Sequence, residues 1–283
     1  MNETWLPRKR RQVRATTAYR YAWFIEHYIN PAIGDVPLRQ LRVDHLEALY
    51  QQLAVTGGRQ GAGLAPKTIL EVHMIVRTAL GLAADRQLVV NNVASGAQLR
   101  LPRAGGPIAR SRTAGELATF LAASRHHRLY PALHLAAHSG MRRGELVGLK
   151  WCDLDTPARR LSIRRTLQCV GGQPVEFGVK TRTSRRTVEL DPATVTLLRH
   201  WRQRLERAGL PSDIDDWMFC NPTGRYLNPQ SPSQLFDRIV RSSDLPRIRF
   251  HDAPAIHPRD SLTAYRSIAT TGRSEGCGSG PRT

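Results

Sequence analysis

In the stretch SGMRRGELVGLKWCDLD, Ser139 to Asp155, a glycine break is followed by paired arginines, a glutamate and an apolar run. That order puts the Arg142 guanidinium at a helix start, where backbone N–H groups also point outward without intrahelical partners. Such a group can stabilise charge developing on phosphate oxygens, and Glu145, three residues on, is placed to orient it or to cap the turn. Further along, VKTRTSRRTVEL gathers Lys180, Arg182, Arg185 and Arg186 into one short basic segment suited to touching phosphate. Taken alone, either group reads equally as a solvated basic surface.

The elements that must position these groups follow from periodicity. From Thr16 to Ala94 the pattern is helical only. One helix is expected across TTAYRYAWFIEHYIN and should end at Pro31 and Gly34; a second should start at Asp44 as N-cap, with Leu46, Leu49, Tyr50 and Leu53 on one stripe. Pro66 opens a third, with Ile69, Val72, His73, Val76 and Leu80 on one face. The run LRLPRAGGPIARSR breaks periodicity among arginines and reads as a basic linker. Beyond it, Thr113 and Glu116 form a capping-box pattern, YPALHLAAHSG stops at Gly140, and a helix is expected from Arg142 to Leu149. The alternating stretches RRLSIRRTLQ and SRRTVEL predict one small antiparallel sheet, before helices resume over Pro192–Ala208 and Pro232–Ser242. The fold expected is mainly α with a small antiparallel sheet. Its domains are a helical unit at 1–100, a linker at 101–112 and a mixed α+β unit at 113–252.

These motifs, in this order, resemble the tyrosine recombinases of the phage integrase type over roughly residues 16–252. The resemblance implies a SAM-like core-binding domain followed by a catalytic domain. It makes Arg142 the arginine presented to the scissile phosphate, and Lys180 the general acid that protonates the leaving 5′ oxygen, a task needing a cation that can surrender a proton in a partly desolvated groove. His251, in IRFHD, fits the histidine of the family's His-x-x-Arg box. Lys67, Arg77, Arg143, Arg182, Arg185 and Arg186 are candidate DNA contacts. The partner implied is double-stranded DNA carrying an attachment site, with a homo-oligomer assembled on it. No metal, cofactor or small-molecule substrate is implied, since a phosphotyrosine conserves the bond energy.

The box then departs from the pattern, for its second arginine position holds Pro254, which has neither a charged side chain nor an N–H. From Ala253 onward neither helical period nor the family's later motifs continue, and residues 253–283 are expected to form an aberrant, disordered tail. The family nucleophile lies much further past the histidine than Tyr265, which is only 14 residues beyond His251 (265 minus 251), so no nucleophile is assigned. Read from the third nucleotide, codons for Ala253-Pro254-Ala255-Ile256 permit Ala-Arg-His, and a frameshift is therefore expected, with a truncated start also in keeping. Whether the chain is an enzyme stays open on this reading. Loss of the usual C-terminal helices should also expose Leu235, Ile239 and Val240 and lower solubility.

Composition narrows the alternatives. Forty-two lysines and arginines against 23 acidic residues give a formal net charge of +19, spread along well-patterned segments, which calls for a polyanion. The four cysteines show no zinc spacing and fit a reducing cytoplasm, here at the nucleoid, and no run is apolar enough for a signal peptide or membrane span. A helical regulator that binds DNA without phosphoryl chemistry shares this composition and remains the alternative. The contexts of Arg142 and Lys180 weigh against it.

Overall fold

The computed structural model describes residues 1, 3–96, 99–103, 113–178, 186–243 and 245. Lys180, Arg182, Arg185, His251, Pro254, Tyr265, most of the expected linker and the whole expected tail lie outside the described residues. The chain divides into two compact units, Met1–Ile108 and Ala109–Thr283.

The first unit is helical throughout. α1 (Trp5–Arg10) and α2 (Ala15–Phe24) lead through a π-helical segment, Ile25–Ile29, into α3 (Asn30–Ile33). The helix therefore does not end at Pro31 as its sequence suggests. The missing N–H of a proline breaks a regular i to i−4 ladder, and the wider π turn just before it is one way a helix absorbs that loss. Termination waits for Gly34, whose N–H donates to the Asn30 carbonyl at 2.8 Å.

α4 (Val43–Thr56) starts one residue before Asp44, which sits inside the first turn; the cap is Arg42, whose N–H donates to His45 Nδ1 at 3.0 Å. α5 (Pro66–Asp85) opens on its proline, whose absent N–H would have been unpaired there in any case. The expected stripes of α4 and α5 are all buried and meet Trp5, Phe24, Ile25 and Ile29 in one core. Within it the Tyr50 hydroxyl lies 3.2 Å from His73 Nδ1, which pairs two otherwise costly buried polar groups.

In the second unit α6 (Ala114–Ser124) carries the expected capping box, with Thr113 Oγ1 accepting from the Glu116 N–H and Glu116 Oε2 accepting from the Thr113 N–H. α7 (Tyr130–Ser139) ends at Gly140, at φ 59°, and α8 (Arg143–Val147) follows, ending at Gly148 rather than Leu149. The strands are β1 (Leu154–Asp155), β2 (Arg160–Ile163), β3 (Arg165–Val170), β4 (Gln173–Gly178) and β5 (Arg186–Glu189). They make two sheets rather than the single one expected: an antiparallel β1-β2-β5 sheet and a β3-β4 hairpin. The stretch RRLSIRRTLQ thus supplies two strands that part at Arg164, one to each sheet.

α9 (Pro192–Arg207) and α10 (Ser231–Ser242) follow. Leu235, Phe236, Ile239 and Val240 of α10 are buried in its core, with the Phe236 ring 4.8 Å from that of Phe120 on α6. The exposure expected of Leu235, Ile239 and Val240 is not found, because α10 lays its apolar face on α6 and α7. Among the described residues no helix is long and apolar enough to cross a membrane.

Candidate phosphate-binding site

The turn from α7 to α8 is built one residue at a time. Gly140 adopts the left-handed conformation that ends α7 and that a side chain would strain. Met141 plugs into the core, 4% exposed, so the next side chain must turn outward. Arg142, in extended conformation, caps α8, and its side chain is 72% exposed.

Glu145 holds that arginine at two points. One carboxylate oxygen accepts from the Arg142 N–H at 3.0 Å and the other from its Nη1 at 3.1 Å. The same carboxylate accepts from both terminal guanidinium nitrogens of Arg186, Nη1 and Nη2, from β5, at 3.2 and 2.8 Å. Glu145 is 3% exposed, and burial pushes its carboxyl up; the hydrogen bonds from Arg186 and Arg142 and the charge of Arg186 outweigh burial and leave the pKa below the usual range. A fixed anion therefore anchors one edge of Arg142 and leaves its remaining donors facing solvent.

Close packing sets where α8 lies. A Cβ on Gly144 would run into Thr166 Oγ1 and stand 2.9 Å from the Leu167 carbonyl, and one on Gly148 would lie 3.2 Å from the Leu167 N. Both glycines let α8 rest directly on β3. Arg165 ties the pair, donating from Nη1 to the buried Asp153 and, at 3.4 Å, to the Gly148 carbonyl. Asp153 also accepts from the Lys150 N–H at 2.9 Å, and Trp151 is buried, so the Trp-x-Asp element that follows the arginine is a support for it.

The other candidate residues stand as follows. Arg143 donates to Ser233 Oγ, at 3.3 Å, which joins α8 to the first turn of α10. Lys67 is exposed in the first turn of α5; Arg77, exposed on the same helix, donates from Nε to Ser95 Oγ at 3.3 Å. Of the basic segment only Arg186 lies within the described residues, and its guanidinium is turned onto Glu145. Sequence reading had grouped it with the DNA contacts and missed that partnership; the signal available was its alternation, which puts Arg186 and Val188 on one face of β5.

A second polar cluster braces α7. His134, 1% exposed, has Nε2 3.0 Å from Thr194 Oγ1, which donates to Asp191 Oδ2 at 2.6 Å, and its ring stacks on that of His138 at 4.1 Å. Burial, and then the charge of His138, push the His134 imidazole down to about 3.

Comparison with known proteins now bears on this geometry. The model of the phage integrase family matches residues 111–254, just over half of the chain, and that of the phage integrase N-terminal SAM-like domain matches residues 1–54. The chain belongs to the phage integrase family. A tyrosine recombinase XerC-like protein of Caldanaerobacter subterraneus subsp. tengcongensis is 24% identical over 274 residues, covering 88% of this chain and 68% of that protein. An integrase of Saccharopolyspora erythraea is also 24% identical, covering 85% of this chain and 66% of its own length. The chain thus spans about two thirds of these integrases. Among solved structures, the Tn1549 transposon integrase in complex with a circular intermediate DNA superposes with a TM-score of 0.69 at 18% identity, over 94% of this chain and 84% of that one. A lambda integrase tetramer bound to a Holliday junction gives 0.57 at 19% identity, over 94% and 72%. The fold is that of the integrases, a SAM-like helical domain and a mainly helical catalytic domain with small antiparallel sheets.

Proposed function

We propose that this chain binds double-stranded DNA as a site-specific recombinase of the tyrosine type and that its catalytic set is incomplete. The observation that carries the first half is Arg142: a guanidinium fixed on one edge by a buried carboxylate, placed at a helix start and otherwise open to solvent. A phosphate group is the ligand that uses such a fork, since its oxygens take two donors at once and its charge matches the helix end. Integrases of this fold have been solved on DNA, as a complex with a circular intermediate and as a tetramer on a Holliday junction.

On this reading Arg142 takes a non-bridging oxygen of the scissile phosphate and Lys180 protonates the leaving 5′ oxygen. His251 is the box histidine of the same catalytic set. Lys67, Arg77, Arg143, Arg182 and Arg185 are the candidate contacts to the DNA backbone, and Arg186 acts through Glu145. The units divide this work: a helical domain at 1–100 and a catalytic domain at 113–252, joined by the basic segment 101–112.

The second half rests on Pro254. It occupies the place of the box arginine, at the last residue of the family match, and no proline can share a phosphate with Arg142. Tyr265 is too near His251 in sequence to serve as the family nucleophile does. The reading is therefore of a protein that grips DNA without cutting it. A gel shift on duplex DNA over a salt series tests the first half: retarded bands that weaken steeply with salt are expected, and no retardation at low salt would refute DNA binding.

A further inference from the structure

We infer that Arg186 is a positioning residue: by pairing with Glu145 through both terminal nitrogens it keeps that carboxylate ionised, so that Glu145 can hold Arg142 in phosphate-binding geometry. The inference rests on the reading of Arg142 given above.

The geometry leaves few other ways to account for the pair. Arg186 is one third exposed and commits Nη1 and Nη2 to the two oxygens of Glu145, at 3.2 and 2.8 Å, whereas Arg142 reaches Glu145 with Nη1 alone and is mostly in solvent. The two arginines thus divide the work between an inner cation and an outer one. A carboxylate this deeply buried pays a desolvation cost that favours its neutral form. Without the inner cation its pKa would rise, and on taking up a proton it would keep fewer lone pairs for Arg142.

Among the described residues, the other charged groups on the elements packed against α8 have partners of their own. Arg165 on β3 is committed to Asp153 and Glu176, Arg143 to Ser233, and His138 on α7 has Nδ1 2.8 Å from the His134 carbonyl. Among the described residues, Arg186 and Arg142 are the groups that lower the Glu145 pKa.

The test uses a duplex recovered from a random-sequence pool by binding to the wild-type protein, with each phosphate in turn replaced by a neutral methylphosphonate. Wild-type protein should lose about tenfold in affinity when one phosphate is neutralised, equally from about pH 5 to pH 8, and Arg142→Ala should be insensitive at that phosphate. Arg186→Gln should lose the sensitivity toward the acid end of that range and regain it as pH rises and Glu145 ionises. Arg186→Lys, which keeps the charge but one prong only, should lose it at a pH between those of Arg186→Gln and wild type. If Arg186→Gln does not fold, the Lys variant carries the test. Loss that is independent of pH, or wild-type sensitivity throughout in both variants, would overturn the role of Arg186. If instead Arg142→Ala leaves every phosphate as sensitive as in wild type, the reading of Arg142 itself has failed.

Discussion

Glu145 concentrates the energetic stakes of the site in a single side chain, because a buried ion loses most when its partners are removed. Replacing it with Gln leaves the Arg186 guanidinium facing a neutral group, and thermal or urea unfolding should show a loss of about 2–4 kcal/mol. An unchanged midpoint would mean that solvent already screens the pair. His134 gives a second prediction, in pH. Its pKa is depressed in the fold, from 6.5 to about 3, so the unfolded chain binds the extra proton and stability must fall as pH drops from 6.5 toward 3, levelling off below. Asp191, where burial is outweighed by the bonds from Thr194 and the histidine charges, is held below its usual range and adds a loss of the same sign at lower pH. In a pH series of unfolding midpoints, His134→Gln should flatten the acid limb.

At the scale of elements, the signature helix sits where it does because glycine lets it touch β3. Gly144→Ala must push α8 off the Leu167 carbonyl, and the expected loss is about 1–3 kcal/mol, read as a lowered unfolding midpoint. Shortening Thr166 to Ala would relieve only the side-chain half of the clash. Elements of this kind were legible in sequence to different degrees. The stripes of α4 and α5, the Thr113 cap and the Gly140 stop came from local rules that structure obeys, since each depends on residues within a turn or two. The parting of β2 from β3 at Arg164 and the inward turn of Arg186 did not, because both depend on which strand pairs with which. The exposure expected of α10 failed for a related reason: burial is decided by neighbours distant in sequence, here Phe120 on α6. Arg142 and Glu145 were legible as a pair, and the third member needed a partner 41 residues away.

Across the whole molecule a formal charge of +19 makes DNA affinity a matter of released counterions. Each lysine or arginine that neutralises a phosphate contributes about 0.9 to the slope of log affinity against log salt, so Lys67→Ala and Arg77→Ala should each reduce the slope by about one and weaken binding without regard to sequence. An unchanged slope would mark that residue as merely solvated. Neither substitution addresses the proposed chemistry, in which a phosphate grip is retained and the strand-cutting set is broken at Pro254. The most direct measurement mixes the purified chain with a nicked suicide duplex, carrying the sequence the protein selects from a random pool, and runs native and denaturing gels side by side. A retarded complex on the native gel and no covalent protein–DNA band on the denaturing one are the expected outcome. A covalent band, and above all one that disappears with Tyr265→Phe, would contradict it and place a working nucleophile in the segment beyond Pro254.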